Sequence, residues 1–178
     1  MTAPMAPGEL RAASSGYWRR DRCLHVIDLE SLAGAGDAPA SGSRGREWPP
    51  DGSLRLALAA YRGVIGIQPG DHALLGLRSA RCGRLSDLLA SSGTQLRVAG
   101  DADGVRAALT DSIDVAHAAR RFGWLVIAGG HEGFAGMASA ALESGMRIWL
   151  VGGSGPFAPM TAAMCDRRPR PQTLRAAA

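Results

Sequence analysis

Apolar residues along the chain fall into short runs that alternate with stretches of helical spacing. LHVID (24–28) is an apolar run closing on a carboxylate and predicts a buried first strand. Residues 33–50, AGAGDAPASGSRGREWPP, carry no apolar period and predict a long loop, a length that is usually functional or disordered. From Asp51, read as a helix cap, Leu54, Leu58 and Tyr61 share one helical face that ends near Gly63. HALLGL (72–77) predicts the second strand, and Leu85, Leu88 and Leu89 a second helix with Gly93 just past its end. QLRVAG (95–100) predicts the third strand. Val115, Ala118, Ala119 and Phe122 then follow the i, i+3, i+4, i+7 rule of an amphipathic helix. WLVIAGG (124–130) is the clearest strand of all. Phe134, Met137, Ala138, Ala141 and Leu142 predict a helix closed by Gly145, and MRIWLVGG (146–153) the last strand. A shorter helix is expected from about Phe157, and Pro169 and Pro171 open a tail. Strands separated by helices of this length imply right-handed crossovers. The expected fold class is therefore α/β, a three-layer sandwich with a central parallel sheet of about five strands.

Length and charge refine this picture. A chain of 178 residues suits one domain with one sizeable core. The expected division is a disordered leader over 1–22, a domain over 23–166 and a basic tail over 167–178. All 20 basic residues are arginine, and Lys and Asn are absent, a pattern that resembles coding bias more than selection for phosphate binding. From Cys23 to Asp166 there are 12 Arg against 14 Asp and Glu, so the +4 total arises at the two ends. Basic ends are usually just solvated, although they also hold nucleic acid without reading its sequence. No run approaches the roughly 18–20 apolar residues of a membrane span, and the N-terminus does not read as a secretory signal. Cys23, Cys82 and Cys165 form no CxxC pair and read as reduced thiols, so a cytoplasmic location is expected.

The candidate chemistry follows from where polar residues meet strand ends. In open parallel sheets, ligands bind beyond the carboxyl ends of the strands. Asp28 and Glu30 follow the first strand, Gly129, Gly130, His131 and Glu132 follow the strand starting at Trp124, and Asp111 and Asp114 stand at the start of the intervening helix. Carboxylates from three segments at one edge suit a hard divalent cation, Mg²⁺ or Mn²⁺, which would activate water against a phosphodiester. Each residue also has a plainer role. Asp111 and Asp114 suit a helix start, Glu132 suits a helix N-terminus, His131 reads as a loop histidine and Glu30 as a solvated loop acid. His25, His72 and His117 have no ligand spacing and are assigned no chemistry. GGSGP (152–156) lacks a complete phosphate-loop motif and reads as a turn. Trp124 and Trp149 read as core, and Trp48 and Tyr17 as the better candidates for base stacking. No Gly-x-Ser-x-Gly elbow is present.

Three segments resemble the NYN family of PIN-like nucleases, in the form found in actinobacterial proteins. HVIDLESLAG is similar to that family's opening strand, which typically reads VDxEN, and TDSIDVAHA to its helix-opening segment. LVIAGGHEGFAGMASAALESGMRIWLVG resembles the stretch IxSGDGDFxPL…ARGVRVWVVG almost element for element. The resemblance covers roughly residues 24–153. It implies a PIN-like fold and a metal-dependent ribonuclease. Asp28 and Asp114 match the family's acids and, with Glu132, are the implied catalytic residues; Asp28, Asp111, Asp114, His131 and Glu132 are the implied metal ligands. The chain departs from the pattern at Ser31, where the family has Asn, and at His131 and Gly133, where SGDGDF has its two Asp. Two functions stay open on these residues: a ribonuclease using Mg²⁺ or Mn²⁺, and a catalytically degenerate module that binds RNA or a protein partner, itself included. A Rossmann-like small-ligand binder using the glycines at 129–130 and 152–155 is a third.

Overall fold

The apolar runs become five strands, β1 (Cys23–Asp28), β2 (His72–Arg78), β3 (Gln95–Ala99), β4 (Trp124–Ala128) and β5 (Arg147–Val151). The structure is a computed structural model, and it describes residues 22–34, 51–90 and 93–152. The leader, the tail, most of the 33–50 loop, Trp48, Tyr17, Cys165, GGSGP beyond Gly152 and the helix expected from Phe157 lie outside those residues. The five strands form one sheet in the order β3-β2-β1-β4-β5, and every pairing is parallel.

Helices cover both faces, as an all-parallel sheet requires. A single turn, α1 (Leu29–Leu32), follows β1, and α2 (Asp51–Val64) leads to β2. Between β2 and β3 run α3 (Ser79–Cys82), a 3₁₀ turn (Gly83–Leu85) and α4 (Ser86–Ala90). Between β3 and β4 run α5 (Ala102–Asp111) and α6 (Val115–Arg121). A 3₁₀ turn (His131–Phe134) and α7 (Ala135–Glu143) complete the path to β5. No helix among the described residues is long and apolar enough to cross a membrane.

Strand alternation sorts the core into two layers. Leu24, Val26, Leu74, Leu125 and Ile127 face Val105 and Leu109 of α5, Ala118 and Ala119 of α6, and Met137 and Ala141 of α7. Cys23, Ile27, Leu75, Leu77, Trp124 and Val126 face Leu54, Leu58 and Tyr61 of α2, with Leu85 beside them. The chain thus moves outward from β1 to β3 over one face and returns to build β4 and β5 over the other. Right-handed crossovers running in opposite directions place their helices in just this way.

Two local expectations change. α5 is an extra helix, capped by Asp101, whose side chain accepts from Gly104 N at 2.7 Å. Only Val105 and Leu109 mark its buried face, too few apolar residues to reveal a period in the sequence. Asp51 is the first residue of α2, and its carboxylate binds Arg81 of α3 at 2.6 Å.

The α5 contact shows how closely the layers pack. A Cβ on Gly76, in the middle of β2, would stand 2.5 Å from Val105 Cγ1 and 2.6 Å from Leu109 Cδ1. The missing side chain lets both residues sit directly on the sheet. Leu109 is fully buried, so Leu109→Ala should leave a cavity and cost about 3 kcal/mol of stability. Chemical denaturation would measure this, and a loss near zero would mean that α5 is not docked as described.

Candidate functional site

The strand order reverses direction between β1 and β4. The chain leaves β1 toward β2 and leaves β4 toward β5, so the connections diverge above these neighbouring strands. Such a switch point is where open α/β sheets bind ligands. Asp28 ends β1, and Gly129 and Gly130 follow β4 directly beside it.

Asp28 is 3% exposed and serves as the N-cap of α1. One carboxylate oxygen accepts from Ser31 N at 3.2 Å, and the other accepts from the Ser31 hydroxyl at 2.7 Å. Burial pushes the Asp28 carboxyl above its ordinary range, while the Ser31 hydrogen bonds and the nearby Arg106 charge pull it back. Because the folded pKa is raised, protonated Asp28 favours folding at low pH. That contribution is lost as pH rises from the unfolded value of 3.8 through the folded one. At neutral pH the ionised group therefore opposes folding.

The glycines make room for this arrangement. Gly129 and Gly130 are buried and have φ of +74° and +57°. A Cβ on Gly129 would lie 2.5 Å from Leu32 N and 2.7 Å from the Asp28 carbonyl oxygen, and one on Gly130 3.0 Å from Asp28 Oδ2. α1 therefore packs against bare backbone at the end of β4.

The other expected site residues are placed differently. Glu30 is not a solvated loop acid. It is 6% exposed, and it accepts from Arg78 Nε at 2.7 Å and from Arg78 N at 3.2 Å. α1 begins immediately after β1 and so folds Glu30 over the carboxyl end of β2. Asp111 is not a helix start; it is the exposed last residue of α5. Asp114 is exposed and caps α6, accepting from His117 N at 2.9 Å. Glu132 is exposed in the 3₁₀ turn that His131 opens. Trp124 is core, as expected, and Trp149 is partly buried against the same layer.

Gly133 lies close to the side chain of Arg106 on α5. A Cβ there would lie 2.4 Å from Arg106 Cδ, so the Arg106 stem crosses the space a side chain at 133 would take. Arg106 pairs with Asp103 and remains about a quarter exposed. Its charge also acts through space on Asp28, lowering that carboxyl slightly against the effect of burial.

Two sets of groups can be compared as metal donors. Among the described residues, one group of three His, Cys, Asp or Glu side chains brings its ligand atoms within 4.8 Å of one another, and it is Cys23, His25 and Asp71 at the opposite edge of the sheet. Asp28, Asp111, Asp114 and Glu132 do not make such a group. A magnesium ion carried mainly by water and substrate phosphate needs only one or two protein carboxylates, and Asp28 fits as one.

No family model, curated protein or solved structure matches this chain. The Cys23–His25–Asp71 group escaped sequence reasoning because His25 and Asp71 are 46 residues apart. The i, i+2 spacing of Cys23 and His25 on one strand face was the available signal, and nothing in it pointed to Asp71.

Proposed function

We propose that this chain is a PIN-like module that binds the phosphate backbone of RNA at the carboxyl ends of β1 and β4, with Arg106 as the phosphate-seeking group. The observation that carries the reading is Arg106, laid across Gly133 with its charge acting on Asp28. A guanidinium is planar, always charged and able to donate two hydrogen bonds to one phosphate, so it suits a backbone ligand. Phosphate contacts of this kind position a nucleic acid without reading its bases. The NYN-like motifs support RNA as the nucleic acid.

A second reading keeps the chemistry of that family. Asp28 is a buried carboxylate whose ionised form opposes folding, which supports a role as ligand to a divalent ion. Asp28 would hold Mg²⁺ or Mn²⁺, with Asp114 and Glu132 as the exposed acids available from neighbouring segments. Such an ion supplies an activated water and charge neutralisation at a phosphodiester. The chain's own part is to orient Asp28 through Ser31 and to present Arg106 to the phosphate.

One pair of assays separates these functions. Labelled single-stranded RNA should bind the purified protein in a salt-dependent way, and Arg106→Ala should weaken binding about tenfold and lower the salt slope by about 1. Cleavage of the same RNA with Mn²⁺, Mg²⁺ or EDTA should be absent. Metal-dependent cleavage lost in Asp28→Asn would instead make the protein a ribonuclease. Asp28→Asn should melt at the same temperature as the parent protein or higher, because the amide removes a buried charge and keeps an acceptor for Ser31. Neither binding nor cleavage would remove both readings.

A further inference from the structure

At the amino edge of the sheet, roughly 10–17 Å along β1 from Asp28, a second polar group is largely buried. Cys23 and His25 alternate onto the same face of β1, and Asp71 directly precedes β2. The β1–β2 register, with Leu24 opposite His72, brings Asp71 beside both of them. Cys23 and His25 are 0% exposed, and the Asp71 side chain is 1% exposed.

We propose that Cys23, His25 and Asp71 form a buried binding site for one divalent transition-metal ion, zinc by the nature of the donors. A thiolate, an imidazole and a carboxylate are the donor types zinc takes, and they discriminate against magnesium and calcium. Each of the three residues offers one ligand atom, and these atoms lie within 4.8 Å of one another. Around a tetrahedral zinc with bonds of about 2.0–2.3 Å, donors stand roughly 3–4 Å apart, so small side-chain shifts suffice. Water completes the fourth position.

The surrounding hydrogen bonds suit the same role. Asp71 accepts from Cys23 N at 2.7 Å and from Gln68 N at 2.8 Å, which holds the carboxylate in place. His25 Nε2 faces Asp71 Oδ2 at 3.2 Å, and Nδ1 lies 2.6 Å from the Tyr61 hydroxyl. A carboxylate only accepts, so without metal the Nε2 proton points to Asp71 and Nδ1 accepts from Tyr61. On metal binding, Nε2 becomes the ligand, the ring proton resides on Nδ1, and the Tyr61 hydroxyl turns from donor to acceptor. An imidazole ligand fixed by a partner on its other nitrogen is the usual arrangement in protein metal sites. The Cys23 thiol gives its proton to solvent as the thiolate bonds to the ion.

Cobalt titration tests the site with the full chain, after stripping with a chelator. Cys82→Ser/Cys165→Ser leaves Cys23 as the sole cysteine and leaves the proposed site untouched. This variant should take up one Co²⁺ per chain, with the near-ultraviolet thiolate-to-cobalt band and the intense visible bands of a tetrahedral ion, and Zn²⁺ should displace it. Zinc should also raise the melting temperature. Cys23→Ser should lose the thiolate band and weaken zinc binding about a hundredfold, and Tyr61→Phe should weaken it about tenfold while keeping the band. Absence of a thiolate band from the variant that retains only Cys23 would overturn the proposal, even if Cys23→Ser failed to fold. So would a band in the parent protein that disappears with Cys82 or Cys165.

Discussion

Gly129→Ala is expected to lower the unfolding free energy by about 3 kcal/mol or more and to abolish the RNA binding proposed for the carboxyl ends of β1 and β4. Two effects combine there. The backbone at Gly129 has φ of +74°, which costs an alanine roughly 1–2 kcal/mol. The added Cβ would also collide with the backbone, at 2.5 Å from Leu32 N and 2.7 Å from the Asp28 carbonyl oxygen. Backbone cannot swing aside as a side-chain tip can, so α1 must lift, and Asp28 and Ser31 move with it. Gly145→Ala separates the two effects. Gly145 has φ of +80° and open space where its Cβ would stand, so only the conformational cost applies. Urea denaturation of both variants gives the comparison. Equal losses would show that α1 does not pack on Gly129.

Asp71→Ala is expected to cost about 3 kcal/mol, since each buried donor left without its acceptor costs about 1–3 kcal/mol. It takes the acceptor from Cys23 N, Gln68 N and His25 Nε2 together. Cys23 and His25 are fully buried, so water does not readily replace the lost bonds. Asp71→Asn should cost less, since one amide oxygen still accepts. The pH dependence has a definite sign. The folded pKa of Asp71 is lowered, so its contribution is complete above the unfolded value of 3.8 and is lost as pH falls through the folded value. Asp28 acts oppositely, its contribution being lost as pH rises. Asp71→Asn should therefore flatten the acid side of the stability profile, whereas Asp28→Asn should steepen it. Thermal melts from neutral to acid pH would measure both, and an unchanged acid limb in Asp71→Asn would contradict the buried hydrogen-bond scheme.

The two polar edges of the sheet differ in how they read from sequence. At the carboxyl edge, Asp28 closes an apolar run, and Gly129 and Gly130 follow another, so the meeting of those strand ends was legible. The ion pair of Glu30 with Arg78 was not, because its members are 48 residues apart. Arg106 was equally hidden, since it lies on α5, a helix with only two apolar markers. Asp111 and Asp114 read alike in sequence as helix-start acids. The structure separates them, because Asp111 ends one helix and Asp114 caps the next.

What the sequence determined by itself is the α/β class and the sequence positions of the five strands. Burial on both faces demands continuous apolar runs, and those are local features of the chain. What only the tertiary structure decided is which polar groups meet. Strand order β3-β2-β1-β4-β5 brings the carboxyl ends of β1 and β4 together at Asp28, and the register of β1 on β2 encloses Cys23, His25, Tyr61 and Asp71 in one buried network. Both follow from the pairing of distant strands, which no short window of sequence contains.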